Sequence, residues 1–261
     1  MTAPAIHQHA VVANGAKIPA SVSIGAYAII GEDVQLGEGC VVHPHAVISG
    51  PTIAGRKNIF HPFSSIGGDP QDLKFTGEKT YLHIGDENTF RENVTVSRGT
   101  VGGGGKTTIG SGGLFMAYSH IAHDCHVGNQ TIFANGATLA GHVTVEDFVT
   151  VGAFSPVHQF CRIGRYAYIG ASTVITQDVP PFSRVVTERQ TISYGINAVG
   201  LQRKGFSAER LAALKGAFRL LIRAKLNTSQ ALEEMKKNLA SSGDVQELIQ
   251  FIEAAQRGIV K

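Results

Sequence analysis

The chain has 261 residues, with 23 Lys and Arg against 20 Asp and Glu, for a net charge of +3 at pH 7. That balance argues against a nucleic-acid partner, although a mildly basic surface suits a phosphorylated ligand or an acidic protein. There is no run of 18 apolar residues and no charged-then-apolar leader, so membrane insertion and secretion are not expected and a cytoplasmic address is.

In chain order, bulky apolar residues recur at every sixth position: Ile6, Val12, Ile18, Ile24, Ile30, Leu36, Val42 and Ile48. The ladder then slips by one residue to Ile53 and Ile59. After a loop insertion near 67–82 it continues at Ile84, Phe90 and Val96. A second insertion near 101–107 carries the run Gly102 to Gly105, which lacks the spacing and the strand-to-helix frame of a phosphate loop. From Ile109 the ladder takes twelve steps: Ile109, Phe115, Ile121, Val127, Phe133, Leu139, Val145, Val151, Val157, Ile163, Ile169 and Ile175.

A period of six fits neither the 3.6 of a helix nor the alternation of a hairpin, and it marks a parallel β-helix of hexapeptide repeats. Four residues after each anchor stands a small residue, as at Ala28, Cys40, Cys125, Ala137 and Cys161. This position lies two before the next anchor, so both side chains point to the same face of a strand, the core. All three cysteines fall there and read as packing residues, not ligands or disulfide partners. Glycine often follows the anchor, where it relieves the corner. With three hexads per coil, residues eighteen apart stack at roughly the 4.8 Å spacing of neighbouring strands.

The ladder stops at Pro180-Pro181, and a helical period begins at Phe206. Ser207 is a plausible N-cap, Thr228 or Ser229 opens a middle helix, and Asp244 with Glu247 forms a capping box before a last one. The expected organisation is a β-helix domain over 1–190 and a helical domain of about three helices over 191–261.

Histidine is abundant, at eleven residues. His120, His123, His126, His142 and His158 miss both inward positions and face outward or sit at corners, where a histidine is ordinarily polar surface. Stacking singles out one of them. Eighteen residues beyond His123 lies Gly141, so a near-neutral base stands beside an uncluttered backbone N–H, with His142 adjacent. Acyl transfer needs such a pair, one group to take a proton from an attacking hydroxyl and one to stabilise the developing oxyanion. Asp124 orients the imidazole only if a corner turns these two sequence neighbours towards each other.

Several segments together resemble the bacterial UDP-N-acetylglucosamine O-acyltransferases that perform the first acyl transfer of lipid A synthesis. They are QDLK (71–74), RENVTVSRGT (91–100), HIAHDC (120–125), LAGHV (139–143), VHQFCRIG (157–164), QDVPPF (177–182) and NAVGLQRKGF (197–206). The resemblance spans nearly the whole chain and implies a left-handed parallel β-helix with a small C-terminal α-helical bundle. The spacing does not give that hand, which departs from the right-handed rule for parallel crossovers.

The resemblance further implies a homotrimer with active sites in clefts between neighbouring coils. His123 matches the general base, Asp124 its partner and Gly141 the oxyanion donor. His120, His142, His158 and Gln159 match contacts to sugar or intermediate, and Gln71, Asp72 and Lys74 match a loop that reaches the acceptor. Asn197, Arg203 and Lys204 match the nucleotide end, where cationic groups suit phosphate oxygens. The implied reaction moves a 3-hydroxyacyl chain from acyl carrier protein to the 3-hydroxyl of UDP-N-acetylglucosamine, with no covalent intermediate and no metal or organic cofactor. Ala171 matches the position that limits acyl length, and its small side chain implies about fourteen carbons.

Ser97 stands where many members have His, Val199 where an acidic residue is usual, and Thr187 to Gln190 replace the usual turn. These departures leave open an acceptor bearing a 3-amine. The related N-acyltransferase of lipid A synthesis carries an additional N-terminal domain, which the ladder from Ile6 leaves no room for. A γ-carbonic-anhydrase-like metalloenzyme would gather His120, His123 and His126, yet His120 and His126 are one hexad apart and belong to different parts of the triangle. A scaffolding β-helix would leave the clustered histidines and the Arg203-Lys204 pair without a role.

Overall fold

A computed structural model describes residues 5–187, 193, 195–255 and 259. The chain divides into two compact units, Met1–Thr187 and Glu188–Lys261.

The first unit is a three-sided parallel β-helix. Among the described residues its faces are sheets of ten, eight and seven short strands, most of them two residues long. The chain visits the faces in rotation: Leu114–Phe115 lies on the first, His120–Ile121 on the second, His126–Val127 on the third, and Ile132–Phe133 returns to the first. Phe115 pairs with Phe133, Ile121 with Leu139 and Val127 with Val145. A coil without an insertion therefore takes eighteen residues, and each anchor stacks on the equivalent anchor of the next.

The anchors and the small residues four beyond them fill the prism. Phe60, Phe90, Phe115 and Phe133 are wholly buried and form one column, with successive ring centroids 5.3, 4.8 and 5.2 Å apart. Cys40, Cys125 and Cys161 are buried among them, and burial pushes the Cys125 thiol up to about 12.

Two expectations about this unit are corrected. The ladder does not slip after Ile48. Ala54, Phe60 and Ile66 keep the phase and are buried, while Ile53 is 39% exposed and points outward. A small anchor at Ala54, followed by Ile59 just outside the core, mimics a shift that strand register excludes, since Leu36 pairs with Ala54 and Val42 with Phe60. The true interruption follows Ile66, where the chain leaves strand Ser65–Gly68 and re-enters at Tyr81–Ile84.

The corner chemistry is the second. The left-handed corner position lies three residues after the anchor and is held mostly by non-glycine residues, among them Asp33, His45, Asp124, His142 and Phe160. The glycine just after the anchor answers a different need, because the next coil passes too close for a side chain. A Cβ on Gly37 would lie 2.5 Å from the carbonyl carbon of Gly55.

The second unit is helical. It contains α1 (Ala198–Arg203), α2 (Ala208–Phe218), continued by a π-type turn over Arg219–Arg223, α3 (Thr228–Asn238) and α4 (Gly243–Glu253). Leu214, Ala217, Leu221, Ala231, Met235, Val245, Ile249 and Ile252 form its core. Ser207 caps α2 as expected, accepting from the Arg210 N–H. The cap of α3 is instead Asn227, one residue earlier than Thr228, in a capping box with Gln230. Asp244 lies inside the first turn of α4 and takes both ends of the Arg210 guanidinium at 2.7 and 2.8 Å, so it does not cap the helix. With the short α1, the described residues form four α-helices where about three were expected. None of the described helices is long and apolar enough to cross a membrane.

Candidate active site

The corner between the second and third faces gathers the chemistry. Asp124 holds the left-handed position with φ 61°, a conformation Asp tolerates better than most residues. The turn folds its side chain back towards its neighbour, and His123 Nδ1 stands 2.8 Å from Asp124 Oδ2. The corner that the pairing required is therefore present.

Asp124 is only 2% exposed, and both carboxylate oxygens are hydrogen-bonded. Oδ1 accepts from the Thr100 backbone N–H and Oδ2 from the Thr100 hydroxyl, both at 2.7 Å, while the Asp124 N–H donates to Thr107 Oγ1 at 2.8 Å. With Asp124 on Nδ1, the opposite edge of the imidazole is left to act as base. That edge faces Gly141: a Cβ there would meet His123 Cε1 at 2.7 Å and Nε2 at 2.9 Å. No described protein group accepts from the Gly141 N–H.

The same corner in three successive coils supplies the surroundings. The His142 N–H donates to the His123 carbonyl at 3.0 Å, and the Phe160 N–H to the Gly141 carbonyl at 3.2 Å. His142 stands edge-on to His123 with centroids 5.2 Å apart and lies flat on Phe160 at 4.6 Å. Gln159 and His158 belong to the third of these coils and are exposed, with His158 Nδ1 3.1 Å from the Gln159 carbonyl. His120 lies one strand earlier on the second face, with Nδ1 2.7 Å from Thr95 Oγ1. Burial, and then the charge of His123, pushes the His120 imidazole below its ordinary value.

The remaining expected site residues belong to other elements. Gln71 and Lys74 are exposed on the first insertion, where Asp72 Oδ1 accepts from the Lys74 N–H at 3.0 Å. The mouth of that insertion is tied by the buried Arg98, which donates to the carbonyls of Gly50 and Gly67 and pairs with Asp69. Ala171 is exposed just after the first-face strand Tyr168–Ile169, at a different corner from His123. In the helical unit, Asn197 caps α1 by accepting from the Gly200 N–H at 3.1 Å, and Arg203 and Lys204 are exposed at its end. Val199 is exposed on α1, Ser97 is buried at the end of strand Thr95–Ser97, and Glu188 to Gln190 lie outside the described residues.

His123, Asp124 and His142 are the metal-capable group among the described residues. Asp124 Oδ2 already accepts from the Thr100 hydroxyl and the His123 ring, which suits an oriented base better than an ion. His120 and His126 are divided between the second and third faces, and each turns Nδ1 to a threonine, so His120, His123 and His126 do not form one site. The pattern of sixes did not single out Thr100, which stands four residues after the anchor Val96 and reads there as one more small packing residue before the second insertion.

Residues 178–260 match the family described as Udp N-acetylglucosamine O-acyltransferase, domain 2, and residues 15–50 match the six-repeat bacterial transferase hexapeptide. The chain is 49% identical over 259 residues to the acyl-[acyl-carrier-protein]–UDP-N-acetylglucosamine O-acyltransferase of Stenotrophomonas maltophilia, covering 99% of this chain and 98% of that one. The enzyme of that name from Thermodesulfovibrio yellowstonii is 46% identical over 98% and 99% of the two chains. Among solved structures, LpxA from Acinetobacter baumannii superposes with a TM-score of 0.70 at 41% identity, covering 98% of this chain and all of that one. The Arabidopsis UDP-N-acetylglucosamine acyltransferase gives a TM-score of 0.60 at 33% identity over the whole of both chains.

Proposed function

The chain belongs to the acyl-[acyl-carrier-protein]–UDP-N-acetylglucosamine O-acyltransferases, and from that premise we propose that His123, Asp124 and Gly141 carry the first acyl transfer of lipid A synthesis. His123 Nε2 takes the proton from the sugar 3-hydroxyl as its oxygen attacks the thioester carbonyl carbon of a 3-hydroxyacyl chain on acyl carrier protein. The Gly141 N–H receives the oxyanion. As the carbonyl re-forms, the carbon–sulfur bond breaks and the imidazolium returns the proton to the departing thiolate. Asp124 fixes the tautomer with hydrogen on Nδ1 and steadies the transient imidazolium. The observation that carries this reading is one buried carboxylate, bonded at both oxygens, on Nδ1, with the other ring edge turned to a side-chain-free backbone on the next coil.

His120, His142, His158 and Gln159 contact the sugar or the acyl intermediate. Gln71, Asp72 and Lys74 reach the acceptor, and Asn197, Arg203 and Lys204 take the nucleotide phosphates. The working assembly is a cytoplasmic homotrimer with active sites in clefts between neighbouring coils. Ala171 leaves the acyl groove open to about fourteen carbons. The test is transfer from a panel of 3-hydroxyacyl carrier proteins to UDP-N-acetylglucosamine, with wild type and His123→Ala compared at equal oligomeric state. The variant is expected to lose nearly all turnover while remaining assembled. A near wild-type rate in purified His123→Ala removes the base assignment, and a preference for ten carbons or fewer removes the role of Ala171.

A further inference from the structure

The second insertion, which the repeat pattern offers only as an interruption, lies on the buried face of Asp124. The chain leaves the second face after strand Thr95–Ser97, makes one 3-10 turn over Val101–Gly103, and rejoins the third face at Lys106–Ile109. Thr100 caps the turn: its Oγ1 accepts from the Gly103 N–H at 3.1 Å and its carbonyl from the Gly105 N–H at 2.8 Å. Gly104 and Gly105, at φ 93° and 78°, supply the left-handed reversal that closes it. Gly103 rests against the Asp124 carboxylate so closely that any Cβ there would run into it. Thr100 is itself only 8% exposed.

We infer that this insertion is a clamp for the catalytic carboxylate, with Thr100 as a positioning residue that acts on His123 through Asp124 and Gly103 as the bare surface that seals it. The inference rests on His123 being the base. One Thr100 residue donates to both carboxylate oxygens, which fixes the carboxyl plane as well as its place. The hydroxyl does this while accepting from Gly103, so the order of the turn and the aim of the carboxylate depend on one group. Without the hydroxyl the backbone donor to Oδ1 remains, but Oδ2, the oxygen that holds His123 Nδ1, is no longer fixed from behind. A charge-assisted hydrogen bond of this kind is the stronger sort, and its loss corresponds to roughly 10- to 100-fold in rate.

The test compares full-length Thr100→Val, Thr100→Ser and His123→Ala with wild type, measuring kcat, KM for UDP-N-acetylglucosamine and thermal unfolding. Valine keeps the shape and the backbone N–H but not the hydroxyl. Thr100→Val is expected to lower kcat at least tenfold with KM within about twofold, and Thr100→Ser is expected to recover most of kcat. Because the backbone bonds of the turn persist, Thr100→Val should still unfold cooperatively. Wild-type kcat in Thr100→Val, with His123→Ala inactive, overturns the clamp and leaves the base in place. Equal loss in Thr100→Ser and Thr100→Val also overturns it, because the hydroxyl is then not the operative group. An active His123→Ala removes the base reading instead.

Discussion

Gly141→Ala tests whether the reaction occupies the gap between two coils. Gly141 is not at a left-handed φ, so alanine adds no backbone strain there. The effect must come from the Cβ, placed 2.7 Å from His123 Cε1 and 2.9 Å from Nε2. Carbon atoms attract only from about 3.5 Å, so the ring or the corner must yield by roughly 0.8 Å. The ring has little room to yield, because Asp124 holds its other edge at 2.8 Å and is itself held by Thr100. A misplacement of about 1 Å in a reacting group costs on the order of 100-fold, and the methyl also intrudes where an oxyanion would meet the Gly141 N–H. The expected result is a 30- to 300-fold fall in kcat, roughly the loss of one oxyanion donor. Steady-state transfer from a 3-hydroxyacyl carrier protein measures it, and a thermal unfolding scan checks that the coil is intact. A folded variant within threefold of wild type would mean that neither the ring edge nor the Gly141 amide takes part.

Two further substitutions address the scaffold. Phe115, wholly buried between Phe90 and Phe133, should cost about 3–5 kcal/mol when cut to alanine, because stacked coils do not collapse into the cavity; denaturant unfolding measures this, and a loss under 1 kcal/mol would show that the column is not tightly packed. His120 is held below its ordinary value by burial and then by His123, so between its folded value and about 6.5 the unfolded chain binds the proton more readily and stability falls as pH falls. His120→Gln lacks that titration and should lose less melting temperature than wild type between pH 7.5 and pH 5.5, whereas parallel curves would show that the His120 proton is not linked to folding.

The prism was legible in the sequence because its constraint is periodic. Where no insertion intervenes, each anchor lies against the one eighteen residues away, so successive coils repeat the same statement, as Ile121 over Leu139 and Val127 over Val145 do. Reading failed where one member of the column was small. Ala54 holds its place by backbone register while the larger Ile53 stands outside, and size alone selected the wrong residue. Two of the three helix caps failed for a related reason, Ser207 alone being borne out. Asp244 and Thr228 suit an N-terminus equally well as their neighbours do, and the choice was made by the Arg210 pair in one case and by Gln230 in the other.

The site divides along the same line. His123 beside Gly141 follows from counting eighteen, and the closeness of His123 to Asp124 follows once a corner is known to turn there. Thr100 does not follow from counting. It lies 24 residues before Asp124, a separation that is not a whole coil, because the insertion adds length without adding height. A repeat can bring together only what its period allows, namely side chains stacked in columns. A buried carboxylate at a corner needs donors on both oxygens, and the column offers it only the ring of His123 and the more distant His142, 3.7 Å away. The remaining donors must come from chain that has left the period, and the second insertion leaves it one coil before Asp124 and returns with Thr107 bonded to the Asp124 N–H. The break in the ladder is therefore where the regular prism acquires what its own geometry cannot supply.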